Sequence, residues 1–296
     1  MYDIIIIGAG PAGLTAALYA LRANKKVLVF EAKSYGGQII NAAKIENYPG
    51  IENISGFDYA TTLYNQVKKL NCEIKYETVI RVSENKEVFT SQGKYEAKAI
   101  IIATGSANRR LNIENEKEYI GRGVSYCATC DGNFFKDKVV AVVGGGQTAI
   151  DDVIYLSDIV SKVYLIYRGE KLNEELNKLD VLNSLSNVEI ILNSNVTKII
   201  GEDVLSSIEV TDKEGKINTL EISGLFIAVG QEPKNEMFSN VVDLNDRGYI
   251  TTPDGVHTKT EGIYVAGDTR VKELRQLTTA VSDGSIAATI AIKEMK

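Results

Sequence analysis

The chain has 296 residues, 44% of them hydrophobic, more apolar material than one core usually holds, so two domains are expected. With 33 basic against 39 acidic residues the net charge is −6, which excludes attraction to a nucleic-acid backbone or an anionic membrane surface as a design principle. No apolar run approaches the ~20 residues that span a bilayer, and no basic, cleavable leader precedes the first strand near Asp3, so a cytoplasmic location is expected.

In chain order, Tyr2–Ile7 is an apolar run suited to a strand buried on both faces. Gly8–Gly13 is a turn, Leu14–Asn24 has helical spacing, and Lys26–Phe30 is the next apolar strand. The turn fits G-x-G-x-x-G, with Gly8, Gly10 and Gly13 framing Pro11 and Ala12. Its position after a buried strand and before a helix is the context that gives the motif meaning: the glycines admit a pyrophosphate to a helix N-terminus. Glu31 ends the second strand, where an acid grips ribose hydroxyls. An irregular stretch near Gly36–Gly56, a helix over Tyr59–Leu70, strands between Cys72 and Thr90, and a strand over Ala99–Gly105 follow.

Cys127-Ala128-Thr129-Cys130 comes next, followed at once by Asp131. In a reducing compartment a single C-x-x-C points to redox chemistry or to half a metal site. Cys72 is the only other cysteine and His257 the only histidine, so a zinc site is poorly supplied and no metal is expected. Cys72 is expected in the core and His257 as a bystander. Disulfide exchange needs a proton donor for the leaving thiolate, and Asp131, once burial raises its pKa, suits that role.

The βαβ pattern then repeats: Lys138–Val143 as strand, Gly144–Ala149 as turn, Ile150–Asp158 as helix and Lys162–Tyr167 as strand. Gly144, Gly146, Gln147 and Thr148 form the second turn. Short strands follow at Val188–Leu192, Leu205–Thr211 and Leu220–Ile222, and Leu225–Gly230 repeats the shape of Ile100–Gly105. The tail holds a strand over Gly262–Ala266, the Gly267-Asp268 turn, and a helix from about Leu277. A carboxylate at Asp268, ending a late strand, is where flavoproteins with two dinucleotide sites meet the ribityl and phosphate portion of FAD; it also suits a helix N-cap.

With both turns and the dithiol in hand, the chain resembles the low-molecular-weight thioredoxin reductases nearly end to end. The resemblance is carried by Gly8–Gly13, Gly36-Gly37-Gln38, Glu46-Asn47-Tyr48-Pro49-Gly50, Ala103-Thr104-Gly105, Gly121–Ser125, Cys127–Gly132, Gly144–Ala149, Gly267-Asp268 and Arg275-Gln276. It implies an α/β fold of two Rossmann-like dinucleotide-binding domains of three-layer ββα type, the second inserted into the first. FAD binding falls to residues 1–113 and 243–296, and the nucleotide and dithiol to 114–242. It implies a homodimer with thioredoxin as client. It implies that electrons pass from a nicotinamide nucleotide through FAD to the dithiol, with Cys130 facing the flavin, Cys127 attacking the client disulfide and Asp131 as acid. Domain rotation alternates the two half-reactions in that family. FAD contacts are implied for the first turn, Glu31, Gly37, Gln38, Asn47, Thr104, Gly105, Gly267, Asp268, Arg275 and Gln276. Phe134 and Phe135 are left between a docking surface and ordinary packing.

The match fails at one segment. NADPH-using relatives show H-R-R-x-x-x-R after the second strand of the second unit, whereas this chain has Tyr167-Arg168-Gly169-Glu170-Lys171-Leu172-Asn173. Only Arg168 survives to read a 2′-phosphate, and each lost charged hydrogen bond is worth about 1.5–3 kcal/mol. The donor is therefore left open among NADPH, NADH and ferredoxin, with a pyridine nucleotide preferred because the glycine turn is intact. A small-molecule dithiol oxidase of similar fold is the rival enzyme.

Overall fold

Four consecutive isoleucines, Ile4 to Ile7, make the strand β1 (Tyr2–Ile7) an interior strand; all four are buried. Because successive side chains alternate, Ile4 and Ile6 enter one core and Ile5 and Ile7 another. The computed structural model describes residues 1–42, 44–172 and 176–295 and divides into two compact units, 1–107 with 232–296, and 108–231.

The first unit continues with α1 (Pro11–Arg22), β2 (Val27–Phe30), α2 (Gly56–Lys69), β3 (Glu73–Lys75), β4 (Val79–Val82), β5 (Glu87–Thr90) and the long β6 (Lys94–Ile102). Its sheet runs β3-β2-β1-β6-β5-β4. The nucleotide-binding half is parallel, and β6 joins it to an antiparallel meander, pairing Lys94–Glu96 with β5 and residues from Ala97 onward with β1. β7 (Ala107–Asn108) leads into the second unit.

That unit comprises β8 (Val124–Ser125), α3 (Ala128–Asp131), β9 (Val139–Val143), α4 (Gln147–Ser157), β10 (Lys162–Ile166), α5 (Leu176–Ser184), β11 (Val188–Ile191), β12 (Ser194–Gly201), β13 (Leu205–Asp212), β14 (Ile217–Glu221) and β15 (Gly224–Ile227). The order β11-β10-β9-β15-β8 is parallel throughout, and β12-β13-β14 form an antiparallel meander. Val140 and Val142 pack with α4 and α5; Ala141 and Val143 pack with the meander. β16 (Gln231–Glu232) returns the chain alongside β7, and β17 (Asp243–Leu244), β18 (Ile250–Thr251), β19 (Ile263–Val265) and α6 (Leu277–Glu294) complete the first unit, with β19 parallel to β6. Helices on one face and a meander on the other give each unit the three-layer ββα arrangement.

The units meet at 107/108 and 231/232, earlier in the chain than the 113/114 and 242/243 boundaries implied by resemblance. The reason is packing: Leu111 and Ile113 lie against the meander-side core of the second unit, whereas Phe238, Val241 and Val242 are buried with Ile5, Ile7 and Phe30 in the first. The helices also start earlier than expected. Pro11 and Gln147 open α1 and α4 directly after extended Gly10 and Gly146, because proline presets helical φ and a glycine N-cap costs little. Cys72 is buried, as a core residue, just ahead of β3, and burial pushes its thiol up to about 12. Among the described residues no helix is long and apolar enough to cross a membrane, and no group of three or more His, Cys, Asp or Glu side chains is placed to hold a metal.

Candidate active site

In the first unit the glycine turn is closed by its neighbours. The Gly8 N–H donates to Phe30 O at 2.7 Å, and Gly8 has φ of +111°, with the Ala103 carbonyl where a Cβ would stand. Only glycine meets both conditions. Glu31 accepts from Ala9 N and Lys33 N, each at 2.9 Å, so its carboxylate braces the turn and keeps lone pairs for a further donor. The Gly36 N–H donates to Ala9 O at 2.8 Å, and a Cβ on Gly37 would stand 3.2 Å from Gly10 Cα. Gln38 is exposed beside it.

The tail folds onto the same turn. Gly267 lies against Ala12, and Gly284 of α6 sits over the Ala12 carbonyl. Asp268 Oδ1 is buried and accepts no hydrogen bond, with the Lys272 ammonium 3.9 Å away. Burial pushes this carboxyl's pKa up, against the pull of Lys272 and Arg275. An unsatisfied acceptor beside the start of α1 is the feature expected where a ligand hydroxyl donates to complete the site, so these residues fit the polyol portion of FAD. Arg275 covers the Tyr249 ring at 4.2 Å and donates to the carbonyls of Asp268, Arg270 and Lys272. Gln276 caps α6 and accepts from Asn47 Nδ2 at 3.1 Å.

Three residues here escaped the sequence reading. Asp283 accepts from Gly267 N at 3.0 Å, from Arg270 Nε and Nη2 at 2.9 and 2.8 Å, and from Lys272 Nζ at 3.0 Å. Thr269 and Asn235 are fully buried. The Thr269 hydroxyl lies 2.9 Å from that of Thr104 and donates to Asn235 Oδ1 at 2.7 Å, while Asn235 Nδ2 donates to Gly248 O and Thr269 O. This network ties the Thr104-Gly105 turn to the Asp268 turn. The one signal in the sequence was an aspartate amid the small residues of α6.

In the second unit Cys127 and Cys130 are joined as a disulfide across the single turn of α3. Cys127 is half-buried and Cys130 exposed. Ser125 organises the cluster: its hydroxyl donates to Asp131 Oδ2 at 2.6 Å and accepts from Cys127 N at 3.0 Å. Burial raises the pKa of the Asp131 carboxyl, partly offset by the Ser125 hydrogen bond. Upstream, buried Glu116 accepts from Leu111 N, Asn112 N and the Tyr126 hydroxyl, anchoring the residue before Cys127. Phe135 packs edge-on against Phe226 and against Gly224, while Phe134 is exposed. Phe135 is thus a packing residue of the second unit. His257 sits in the first unit, held by Asp254 and Glu294.

Around the second turn, Gly144 repeats Gly8, with φ of +153° and the Ala228 carbonyl where a Cβ would stand. Gly146, Gln147 and Thr148 are exposed at the start of α4, whose first N–H groups point outward as an anion site, so the turn fits a pyrophosphate. Arg168 is exposed, and Asn173 lies outside the described residues.

Comparisons with known proteins agree with this geometry. The family model for pyridine nucleotide-disulphide oxidoreductases matches residues 2–284. A thioredoxin reductase of Listeria monocytogenes is 41% identical over 99% of this chain and 93% of its own length. One of Treponema pallidum is 42% identical over 97% and 95%. The crystal structure of a thioredoxin reductase from Streptococcus pyogenes is 41% identical, with a TM-score of 0.95 over 100% of this chain and 98% of its own.

Proposed function

The chain belongs to the pyridine nucleotide-disulphide oxidoreductase family, and we propose that it works as an FAD-dependent thioredoxin-disulfide reductase through the Cys127–Cys130 pair. The observation that carries the reading is this disulfide, set beside a half-buried carboxyl and ahead of a second intact glycine turn, in a chain similar to thioredoxin reductases over nearly all its length. FAD, when bound, supplies a two-electron relay between the nicotinamide nucleotide and the dithiol.

The protein's own groups divide the remaining work. The first turn, Pro11, Ala12, Glu31, the 36–38 loop, Asn47, the Thr104-Gly105 turn and the 267–276 segment hold FAD. Gly144, Gly146, Gln147 and Thr148 present backbone donors to the nucleotide's pyrophosphate. Two electrons open the Cys127–Cys130 bond and leave two sulfurs carrying one proton between them. The Cys127 thiolate attacks one sulfur of the thioredoxin disulfide; that bond breaks, and Asp131 gives a proton to the departing thiolate. Cys130 then passes its proton to the Asp131 carboxylate and attacks the Cys127 sulfur, which releases the second thioredoxin sulfur as a thiolate and restores the internal disulfide. Ser125 holds Asp131 in place for the transfer. A homodimer and a cytoplasmic location complete the proposal. Relatives named thioredoxin reductase favour this reading over a ferredoxin donor or a dithiol oxidase.

The test is an anaerobic assay of purified yellow enzyme with NADPH and thioredoxin. Nucleotide oxidation should depend on thioredoxin and vanish in Cys127→Ser and Cys130→Ser, while flavin bleaching by nucleotide survives in both. Thioredoxin reduction persisting in the double variant would overturn the proposal.

A further inference from the structure

The two βαβ units are counterparts bond by bond. Gly8 N donates to Phe30 O and Gly144 N to Ile166 O, at 2.7 and 3.0 Å. Ala103 N donates to Ile7 O and Ala228 N to Val143 O, both at 2.8 Å. The residue following the second strand is Glu31 in one unit and Tyr167 in the other, each donating its N–H to the next strand, at Lys75 O and Ile191 O. In the first unit the Glu31 carboxylate lies against the backbone of Ala9. In the second the Tyr167 ring lies against Gly145, the counterpart of Ala9: a Cβ built on Gly145 would run into the ring, and one on Gly169 would meet it from another side. Gly145 is buried, although Gly146 beside it is exposed. Both glycines make room for the ring.

We propose that the Tyr167 ring is a cover over the ribose end of the nicotinamide-nucleotide site, and that it sets the affinity of this enzyme for both nucleotides alike. The position it fills is where dinucleotide-binding units place the acid that holds the ribose hydroxyls. A nucleotide entering along the second turn must displace the ring from Gly145 and Gly169, so its apparent affinity is lowered by the fraction of molecules in which the ring is closed. Once the ring has moved, the 2′ position faces no carboxylate at the strand end. It meets Arg168 as the retained cation of the family segment, with Glu170 and Lys171 following in sequence and opposing each other in charge. The cover therefore weakens NADH and NADPH together and leaves little discrimination between them. This inference rests on the proposed use of the second unit for the nucleotide.

The test is calorimetric binding of NADP⁺ and NAD⁺ to the FAD-loaded enzyme. Tyr167→Ala should tighten both by about tenfold if the ring is closed roughly nine-tenths of the time, with the ratio of the two constants unchanged. Tyr167→Phe, which keeps the ring, should bind as wild type does. Gly145→Ala, which expels the ring without deleting it, should move both constants in the same direction as Tyr167→Ala and serves if that variant does not fold. Unchanged or weaker binding in the ring-deleted and ring-expelled variants, or no binding in any form, would overturn the proposal. Reduction of thioredoxin by light-reduced holoenzyme needs no nucleotide, so it reports separately on the dithiol chemistry.

Discussion

Asp283→Asn removes a charge on which four donors converge, and its cost can be worked from the contacts. The Asp283 carboxylate is 7% exposed and the Lys272 side chain 6%, so solvent screens the pair weakly. Arg270, at 17%, keeps a partial path to water. Burial alone would raise the Asp283 pKa, but hydrogen bonds from Arg270 and Lys272 outweigh it and hold the carboxyl below its ordinary 3.8. A depressed folded-state pKa means the stabilisation is fully present above 3.8 and is lost as pH falls through the lower folded value. Breaking one side of a buried ion pair costs about 3–5 kcal/mol, and the exposure of Arg270 places this case near ~3. At roughly 2–4 °C per kcal/mol, the first unit's melting midpoint should fall by about 6–12 °C near neutral pH. Because Asp283 also holds the Gly267 N–H, flavin occupancy should fall with it. Scanning calorimetry of the holoenzyme at neutral pH, with flavin release followed by fluorescence, separates the first unit's transition from that of the second. A wild-type midpoint together with full flavin occupancy would refute the reasoning.

The remaining predictions concern three other carboxylate clusters. Asp131→Asn should lower thioredoxin turnover by about 10²–10⁴-fold and leave flavin reduction untouched, a split visible by stopped-flow absorbance; equal loss in both half-reactions would assign Asp131 a structural role. Glu116→Gln cannot accept at both oxygens from Leu111 N, Asn112 N and Tyr126, and at about 1–3 kcal/mol for an unmatched buried polar group it should lower the denaturant midpoint of the second unit. His257 is held by Asp254 and Glu294, which raise its pKa above 6.5, while Asp254 is lowered to about 2, chiefly by the His257 backbone N–H. A raised folded-state pKa makes that contribution complete below 6.5 and lost as pH rises through the folded value. His257→Ala should therefore flatten the melting temperature against pH in that range, with a small amplitude because the pair is exposed. A wild-type slope in the variant would exclude the cluster as its source.

What the sequence revealed follows from which interactions are local. The glycine turns were legible because positive φ at Gly8 and Gly144, and the carbonyls of Ala103 and Ala228 pressed against them, admit no other residue. The dithiol was legible because its ring closes within a single turn. Asp283, Thr269 and Asn235 were not, because their partners come from distant segments: Asn235 reaches Gly248 and Thr269, and Thr269 meets Thr104. The unit boundaries were obscured for the same reason. Residues 108–113 and 232–242 carry no flexible composition, and only packing assigns Ile113 to one core and Phe238 to the other.

The duplicated unit shows how one backbone carries two different side chains, Glu31 and Tyr167, against its glycine turn. In both copies the strand, turn and helix are set by glycines that touch carbonyls, and these leave the position after the second strand free to vary. A carboxylate there braces the turn from the side, as Glu31 does at Ala9 N, and leaves the surface above the turn to a ligand. An aromatic ring at the same place must lie flat on the turn, which requires glycine at the middle position. That is why the first turn has Ala9 and the second Gly145. The same argument accounts for Gly169, which stands where NADPH-using relatives carry an arginine: a Cβ there would strike the Tyr167 ring, so an arginine at 169 would push the ring from its closed position as Gly145→Ala does. In the proposed cover, the glycine that admits the ring at 169 is also one of the two positions, with Asn173, where the arginines of the family segment are replaced.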